Sequence, residues 1–197
     1  TEGEQIYNVD HKTMQFCDGT DWYSMKAMAT SGGGGAPTGC SNVGDVCPDG
    51  TVYAGNNFGA FYTLSADVDN ASYWGTLNYV TGETSVTDGA TNTTNVYAHV
   101  MAGDGSYNPD GGYVSNATKH CEELVAHGYT DWYLPAKAEL NELYTNKDNI
   151  GGFSTDNYWS STESANNIAC AQSFNNGAQM CNLNKGGSHS VRCVRRD

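Results

Sequence analysis

Cysteines, histidines and one run of alternating oxygen side chains are the residues whose types could do chemistry in this chain. Seven cysteines in 197 residues are many for a reducing compartment, so an oxidising one is expected. The count is odd, which leaves one thiol without a partner inside the sequence. Cys40 and Cys47 are not spaced as CxxC, and no second CxxC exists, so no structural zinc site is expected. His120 and His127 stand seven apart with Glu123 between them, but the HExxH pattern is missing and solvated helix positions are expected instead. His11 and His99 are isolated. Asp104, Ser106, Asn108 and Asp110 alternate as in a calcium loop. Pro109 and Ser115 occupy the places where an EF-hand needs its glycine and its bidentate acid, so a turn-rich loop is the expectation. No catalytic residue, metal or cofactor is expected from these groups.

A different chemistry is written into 158–195. Tyr158-Trp159-Ser160-Ser161-Thr162-Glu163 opens this stretch and the alternating Val191-Arg192-Cys193-Val194-Arg195 closes it. Between them lie Asn166, Asn167, Gln172, Ser173, Asn175, Asn176, Gly177, Gln179, Asn182 and Asn184. The ends read as strands and the middle as turns and an exposed hairpin. Firm ends around a soft, hydrogen-bonding middle suit a binding surface better than catalysis, which needs a few rigidly supported titratable groups.

Elements must position that stretch. Hydrophobic residues are 38% and glycines 24, so the fold is expected to be loop-rich, with a core built from 13 Tyr, 4 Trp and 5 Phe. A formal charge of -13 repels phosphate backbones and anionic membranes, which excludes nucleic-acid binding. No run is apolar enough to span a bilayer, so no direct membrane insertion is expected. The sequence begins at Thr1 without a visible signal peptide, and reads as a portion of something longer, with an upstream anchoring portion or an oligomer possible.

Residues 1–29 read as a small β module with strands near 5–8, 14–17 and 22–25. The pattern IYNVDHKTMQFCDGTDWYSM resembles short modules repeated in phage tail fibres and bacterial surface proteins. Tandem copies of such modules commonly carry a Gly-Cys a few residues before the Tyr-Asn, a point just ahead of Thr1, which implies an upstream partner for Cys17. Residues 30–39 are a Gly-rich linker, and 40–197 a single ligand-binding domain. Within it Val52 and Tyr53 begin a strand and 58–64 continue as another; Tyr73 and Trp74 read as core. The Thr- and Asn-rich 81–97 reads as surface loop. Ser115 caps a helix over 116–127 that turns Ala117, Cys121, Leu124 and Val125 inward, and Gly128 ends it. A strand-like 132–134 follows, and then Pro135 opens a second helix. Leu140, Leu143 and Tyr144 form its apolar stripe, with Lys137, Glu139, Asn141 and Glu142 facing water.

The run Gly128-Tyr129-Thr130-Asp131-Trp132-Tyr133-Leu134-Pro135-Ala136-Lys137-Ala138-Glu139-Leu140 is distinctive. With 158–163, Ala171-Gln172-Ser173-Phe174-Asn175-Asn176-Gly177 and 191–195, it resembles the domain family at the C-terminus of a bacterial collagen-like adhesin. The same family supplies many variable proteins of diversity-generating retroelements. The resemblance covers about 47–196 and implies an α+β, C-type lectin fold: two helices on an irregular, mostly antiparallel sheet. It also implies a disulfide from a helical Cys121 to Cys193 in the last strand. Cys170 would face Cys181 if Asn175 and Asn176 centre a tight turn; a turn centred on Asn176-Gly177 is the stronger signal and shifts the register by two. Cys40–Cys47 is the remaining local pair, with Cys17–Cys40 as its competitor.

In retroelement variable proteins, template adenines are copied with errors. Asn codons begin with two adenines and end in a pyrimidine, so randomising both adenines never yields a stop. Residues 164–190, within a variable region of about 158–190, look like asparagines interrupted by substitutes. Asn166, Asn167, Asn175, Asn176, Asn182 and Asn184 would be template positions. Ile168, Ala171, Ser173, Ala178, Met180, Leu183, Ser188 and His189 would be substitutes. Trp159, Phe174, Gly177, Val191, Arg192 and Val194 read as scaffold. Asn and Gly are also ordinary loop residues, and fixed adhesins of the same family have Asn-rich ends. The expected partner is an unknown protein or glycan, and the expected location is extracellular, at a cell surface or on a virion. Formylglycine-generating enzymes share the implied fold and use cysteines, but Cys193 reads as structural. The Glu-Pro-Asn, Gln-Pro-Asp and Trp-Asn-Asp motifs of calcium-dependent sugar binding do not occur, and Lys185, Arg192, Arg195 and Arg196 form the only basic cluster.

Overall fold

The computed structural model describes three N-terminal strands and residues 39–104 and 116–197. Strands β1 (Gln5–Asn8), β2 (Thr13–Cys17) and β3 (Trp22–Ser24) pair as an antiparallel meander, Gln5 opposite Phe16 and Gln15 opposite Ser24. The expected linker, the Cys17 side chain and most of the calcium-like loop lie outside the described residues.

The larger part is α+β, with two further sheets among the described residues. Strands β4 (Val52–Gly55), β5 (Phe61–Thr63) and β11 (Val194–Arg196) form a small antiparallel sheet in the order β11-β5-β4. The second sheet runs β6-β10-β7-β8-β9: β6 (Asp69–Ser72), β10 (His189–Val191), β7 (Asn157–Ala165), β8 (Ile168–Ser173) and β9 (Gln179–Asn184). It is mixed, because β10 runs parallel to β7 with Ser190 opposite Tyr158. The β8–β9 hairpin therefore hangs from the free side of β7, while the chain after it returns to the other side.

Helix α1 (Gly89–Ala102) lies where the sequence suggested surface loop. Its Thr- and Asn-rich make-up is weak for helix, and tertiary contacts override that preference. Asp88 caps it by accepting from Thr91 N at 3.0 Å, and Gly103 ends it with φ 80°. Thr93 exchanges two hydrogen bonds with Leu134, and Val96 is fully buried. Helix α2 (Ala117–Glu122) is shorter than expected. Asn116 caps it, accepting from Lys119 N at 3.0 Å. Val125 is 70% exposed, outside the helix, because Ala126 and Tyr129 close a turn through His127 and Gly128, both at positive φ.

Helix α3 (Lys137–Thr145) starts after Ala136, two residues beyond Pro135, and α4 (Lys147–Ile150) follows. Leu140 and Leu143 are buried as expected. Glu139 and Glu142, expected in water, are buried too. The stretch 132–134 contributes a single bridge, Tyr133 to Val194. Trp74 is fully buried and donates to Ser160 O at 2.7 Å; its neighbour Tyr73 is 36% exposed.

Cys121 bonds Cys193, Cys170 bonds Cys181 and Cys40 bonds Cys47. The last excludes a Cys17–Cys40 bridge. Cys193 sits between β10 and β11, since the expected continuous strand breaks at Arg192 and Cys193. Ala171 pairs with Met180 and Gln172 with Gln179, the register of a loop over 174–177. Gly177 (φ 81°) donates to Ser173 O at 2.8 Å and lets that loop close.

Candidate functional site

The hairpin surface is carried on a buried ionic frame. Lys185, inside the amide-rich stretch, is fully buried. Its Nζ contacts Glu163 Oε1, donates to Tyr79 O at 2.8 Å and lies 4.5 Å from the centre of the Trp74 ring. Burial pushes the Lys185 ammonium below its usual range, and the Glu163 pairing opposes that shift. Glu163 also accepts from Thr81 N at 3.0 Å and Gly82 N at 2.7 Å, which pins the 77–83 loop beside the hairpin.

Arg192 and Arg195 are buried as well. Arg192 donates to Asp67 and Leu64 O at 2.9 and 2.8 Å, contacts Gly152 O, and stacks 3.9 Å from the Phe153 ring centre. Burial lowers its pKa against the opposing pull of Asp67. Tyr158 donates to the same Asp67 at 2.6 Å, and its hydroxyl is pushed up to about 12 by burial and that carboxylate. Arg195 grips Asp131 with two nitrogens and lies 3.8 Å from the Tyr129 ring centre. Burial disfavours the Arg195 charge, but Asp131 and Asp197 outweigh it and raise the pKa. Arg196 reaches Glu139 at 3.2 Å. Glu139 is pushed up by burial while accepting from Ala136 N, Gly89 N and Tyr133, so one carboxylate joins the starts of α1 and α3. The supposed basic surface cluster is thus dispersed among separate carboxylates.

Over this frame the sequence-predicted positions divide three ways. Asn166, Asn175, Asn176, Ala178, Asn182, Asn184 and Ser188 are exposed. Asn167, Ile168, Ser173, Met180, Leu183 and His189 are half-buried. Ala171 is 2% exposed and cannot meet a ligand, because it packs in the core beside Trp159 and Cys121. Several amides also build the surface they sit on. Asn167 Oδ1 accepts from Asn78 N at 2.9 Å, Asn176 Oδ1 from Ala178 N at 3.0 Å, and Asn184 Oδ1 from Gly186 N at 2.8 Å. Leu183 packs against the core and His189 meets the Trp159 ring edge to face at 4.6 Å between centres, with burial lowering the imidazole pKa.

Lys185 and His189 are the titratable side chains of 164–190 apart from the bridged cysteines, and Lys185 is buried. The exposed rim therefore carries no lysine, arginine or carboxylate, on a protein of charge -13. Sequence reasoning missed Gln172, which is buried between Asn141 and the hairpin loop and donates to Asn141 Oδ1 at 2.8 Å. No sequence signal separated it from the exposed amides around it. His120 pairs with Asp69 at 3.2 Å, and His127 bonds Asp49 O at 3.0 Å. His99, read as isolated, pairs with Asp104 at 2.9 Å. No group of three or more potential metal-ligating side chains occurs among the described residues.

Comparison with known proteins adds to this. No curated protein matches the chain. Among solved structures, a fimbrial protein from Bacteroides ovatus aligns with 13% identity and a TM-score of 0.48, over 68% of this chain and 35% of that one. This chain thus spans about a third of that protein's length. The Lcl C-terminal domain model matches residues 84–195, more than half of the sequence, including both helices that Glu139 joins, the hairpin, Arg192 and Arg195. The chain therefore belongs to the Lcl C-terminal domain family, an adhesin-like family of surface proteins, in keeping with its three disulfides.

Proposed function

We propose that this protein is a non-enzymatic recognition domain of C-type lectin type whose ligand-facing surface is the rim of the β8–β9 hairpin and the adjoining 184–189 turn. One observation carries the reading: the rim presents small and amide side chains without exposed formal charge, above a frame of buried ion pairs and a cross-hairpin disulfide. Such side chains offer adaptable hydrogen bonding, and a rigid base limits the ordering cost of binding. The partner is then a neutral polar surface, of a protein or a glycan.

The rim positions are the ones a diversity-generating retroelement rewrites. The separation of roles supports this, because exposed positions can change while Lys185, Gln172 and Ala171 hold the frame. A fixed-specificity adhesin is the second reading, favoured by the local hydrogen bonds of Asn167, Asn176 and Asn184. The coding DNA separates them. A near-copy of the 3′ end differing at adenines, beside a reverse transcriptase gene, is expected; a locus without that repeat refutes diversification and leaves the fixed adhesin.

A further inference from the structure

A cavity of about 390 Å³ opens between α3, the β4–β5 loop and the start of β9, where the hairpin meets α3. Asn57, Phe58, Asn141, Glu142, Asn146 and Gln179 are the lining residues that matter. Glu142 is 4% exposed, and its Oε1 accepts from Asn57 N at 3.1 Å. Its Oε2 is buried with no hydrogen-bond partner among the described residues. Burial pushes this carboxyl up, and no lysine, arginine or histidine lines the cavity to answer it. An orphaned carboxylate oxygen is costly unless something supplies a donor.

The rest of the lining is held in place by bonds made at one end of each amide. Asn146 Nδ2 donates to Ala54 O at 2.8 Å and Gln179 Nε2 to Lys137 O at 3.0 Å, while Asn141 Oδ1 accepts from Gln172 at 2.8 Å. The opposite ends are Asn146 Oδ1, Gln179 Oε1 and Asn141 Nδ2, two acceptors and a donor. Phe58 is half-buried and supplies an apolar ring to the lining.

From this set we infer that the cavity is a binding site for one uncharged pyranose ring. A phosphate or sulfate finds no cation there. An ammonium group satisfies Glu142 but accepts nothing, so the Asn141 amide hydrogens stay idle. Hydroxyl groups both donate and accept, matching the mixed set, and a hydroxyl-to-carboxylate bond is of the strong, charge-assisted kind. The C–H face of the ring covers Phe58. The volume sits near the lower end of the roughly 300–1,000 Å³ usual for small-molecule sites. This site shares Gln179 with the hairpin but none of the exposed rim positions named above, so its ligand is tested apart from theirs.

The test is a titration of the isotope-labelled full chain with methyl α-glucoside, α-galactoside and α-mannoside, followed by NMR. Nα-acetyl-lysine methylamide serves as the cationic probe. Each is taken to about 50 mM, well above the roughly millimolar Kd expected of a shallow monosaccharide site. At least one glycoside is expected to shift the Asn141, Asn146 and Gln179 side-chain amides saturably. Phe58→Ala, an edge substitution that leaves Glu142 in place, weakens that binding about tenfold, and Glu142→Gln does the same. Asn182→Ala on the rim leaves it unchanged, so failure here is distinguishable from failure of the rim reading. The inference is overturned if no glycoside shifts these amides, if only the lysine derivative does, or if the shifts survive both cavity substitutions.

Discussion

Lys185→Met tests whether the amide-rich stretch really contains a fixed frame member. Methionine keeps the length and buried bulk of the side chain but deletes its charge. The fully buried Glu163 carboxylate then keeps its Thr81 and Gly82 amide donors and loses its counter-ion. Tyr79 O loses the donor it has at 2.8 Å. Removing one member of a buried pair costs about 3–5 kcal/mol, a large part of the roughly 5–15 kcal/mol that holds a domain together. The two backbone donors keep the loss near the lower end, about 3 kcal/mol, or a fall of roughly 6–12 °C in Tm at this size. Urea unfolding of the oxidised full chain, read by tryptophan fluorescence, measures it. Glu163→Gln combined with Lys185→Met removes both charges and is expected to cost about 1–2 kcal/mol less than Lys185→Met alone. A single substitution within about 1 kcal/mol of wild type, or a double variant that is no more stable than the single, refutes the reasoning.

Other outcomes follow from the same geometry. Replacing Cys121 and Cys193 together with serine opens a bridge spanning 72 residues and lowers stability by about 4 kcal/mol in chemical denaturation. Asn175→Ala and Asn182→Ala, both on the rim, stay within about 0.5 kcal/mol of wild type, whereas Ala171→Asn in the core costs about 1–3 kcal/mol by the same measurement. The Glu142 carboxyl has a folded pKa raised above 4.5, so its contribution is full below that value and is lost as pH rises through the folded pKa. Glu142→Gln, which mimics the protonated form, therefore gains stability relative to wild type at neutral pH, and the gain shrinks toward about pH 4 in parallel melting curves. Ligand binding at the rim is expected to change little between about 0.05 and 1 M salt in titration calorimetry, because screening acts on charges the rim lacks.

Hydrophobic patterning was readable where periodicity and burial agree. Leu140 and Leu143, Val52 and Tyr53, and the Trp159 strand all lie where their spacing puts them. Helix α1 was not legible, since Thr91, Asn92, Thr93 and Thr94 say loop by propensity and become helical through bonds to Leu134 and Ser85. Charge was the larger source of error. Lys185, Glu139 and Glu142 carry side chains that usually face water, and only long-range partners, 22 residues away for Lys185 and 85 for Glu142, explain why they do not. The Cys170–Cys181 bridge was legible only as one of two registers: a turn centred on Asn175-Asn176 allowed it, while the stronger Asn176-Gly177 signal pointed two residues away. Which amides are exposed was not, since Gln172 and Gln179 share a residue type and are cross-strand partners on one face, yet only Gln172, on the inner strand β8, is buried.

The order of the strands has a consequence for biosynthesis. Arg192, Cys193 and Arg195 all follow the hairpin in the chain, yet they clamp Asp67, Cys121 and Asp131, which precede it. A ribosome must cross the whole amide-rich stretch in frame before it delivers them. Any rewriting of the hairpin that shifts the reading frame yields a chain with no bridge for Cys121 and uncompensated carboxylates, which fails to fold. In-frame translation of the hairpin is thereby a condition for the fold on both sides of it.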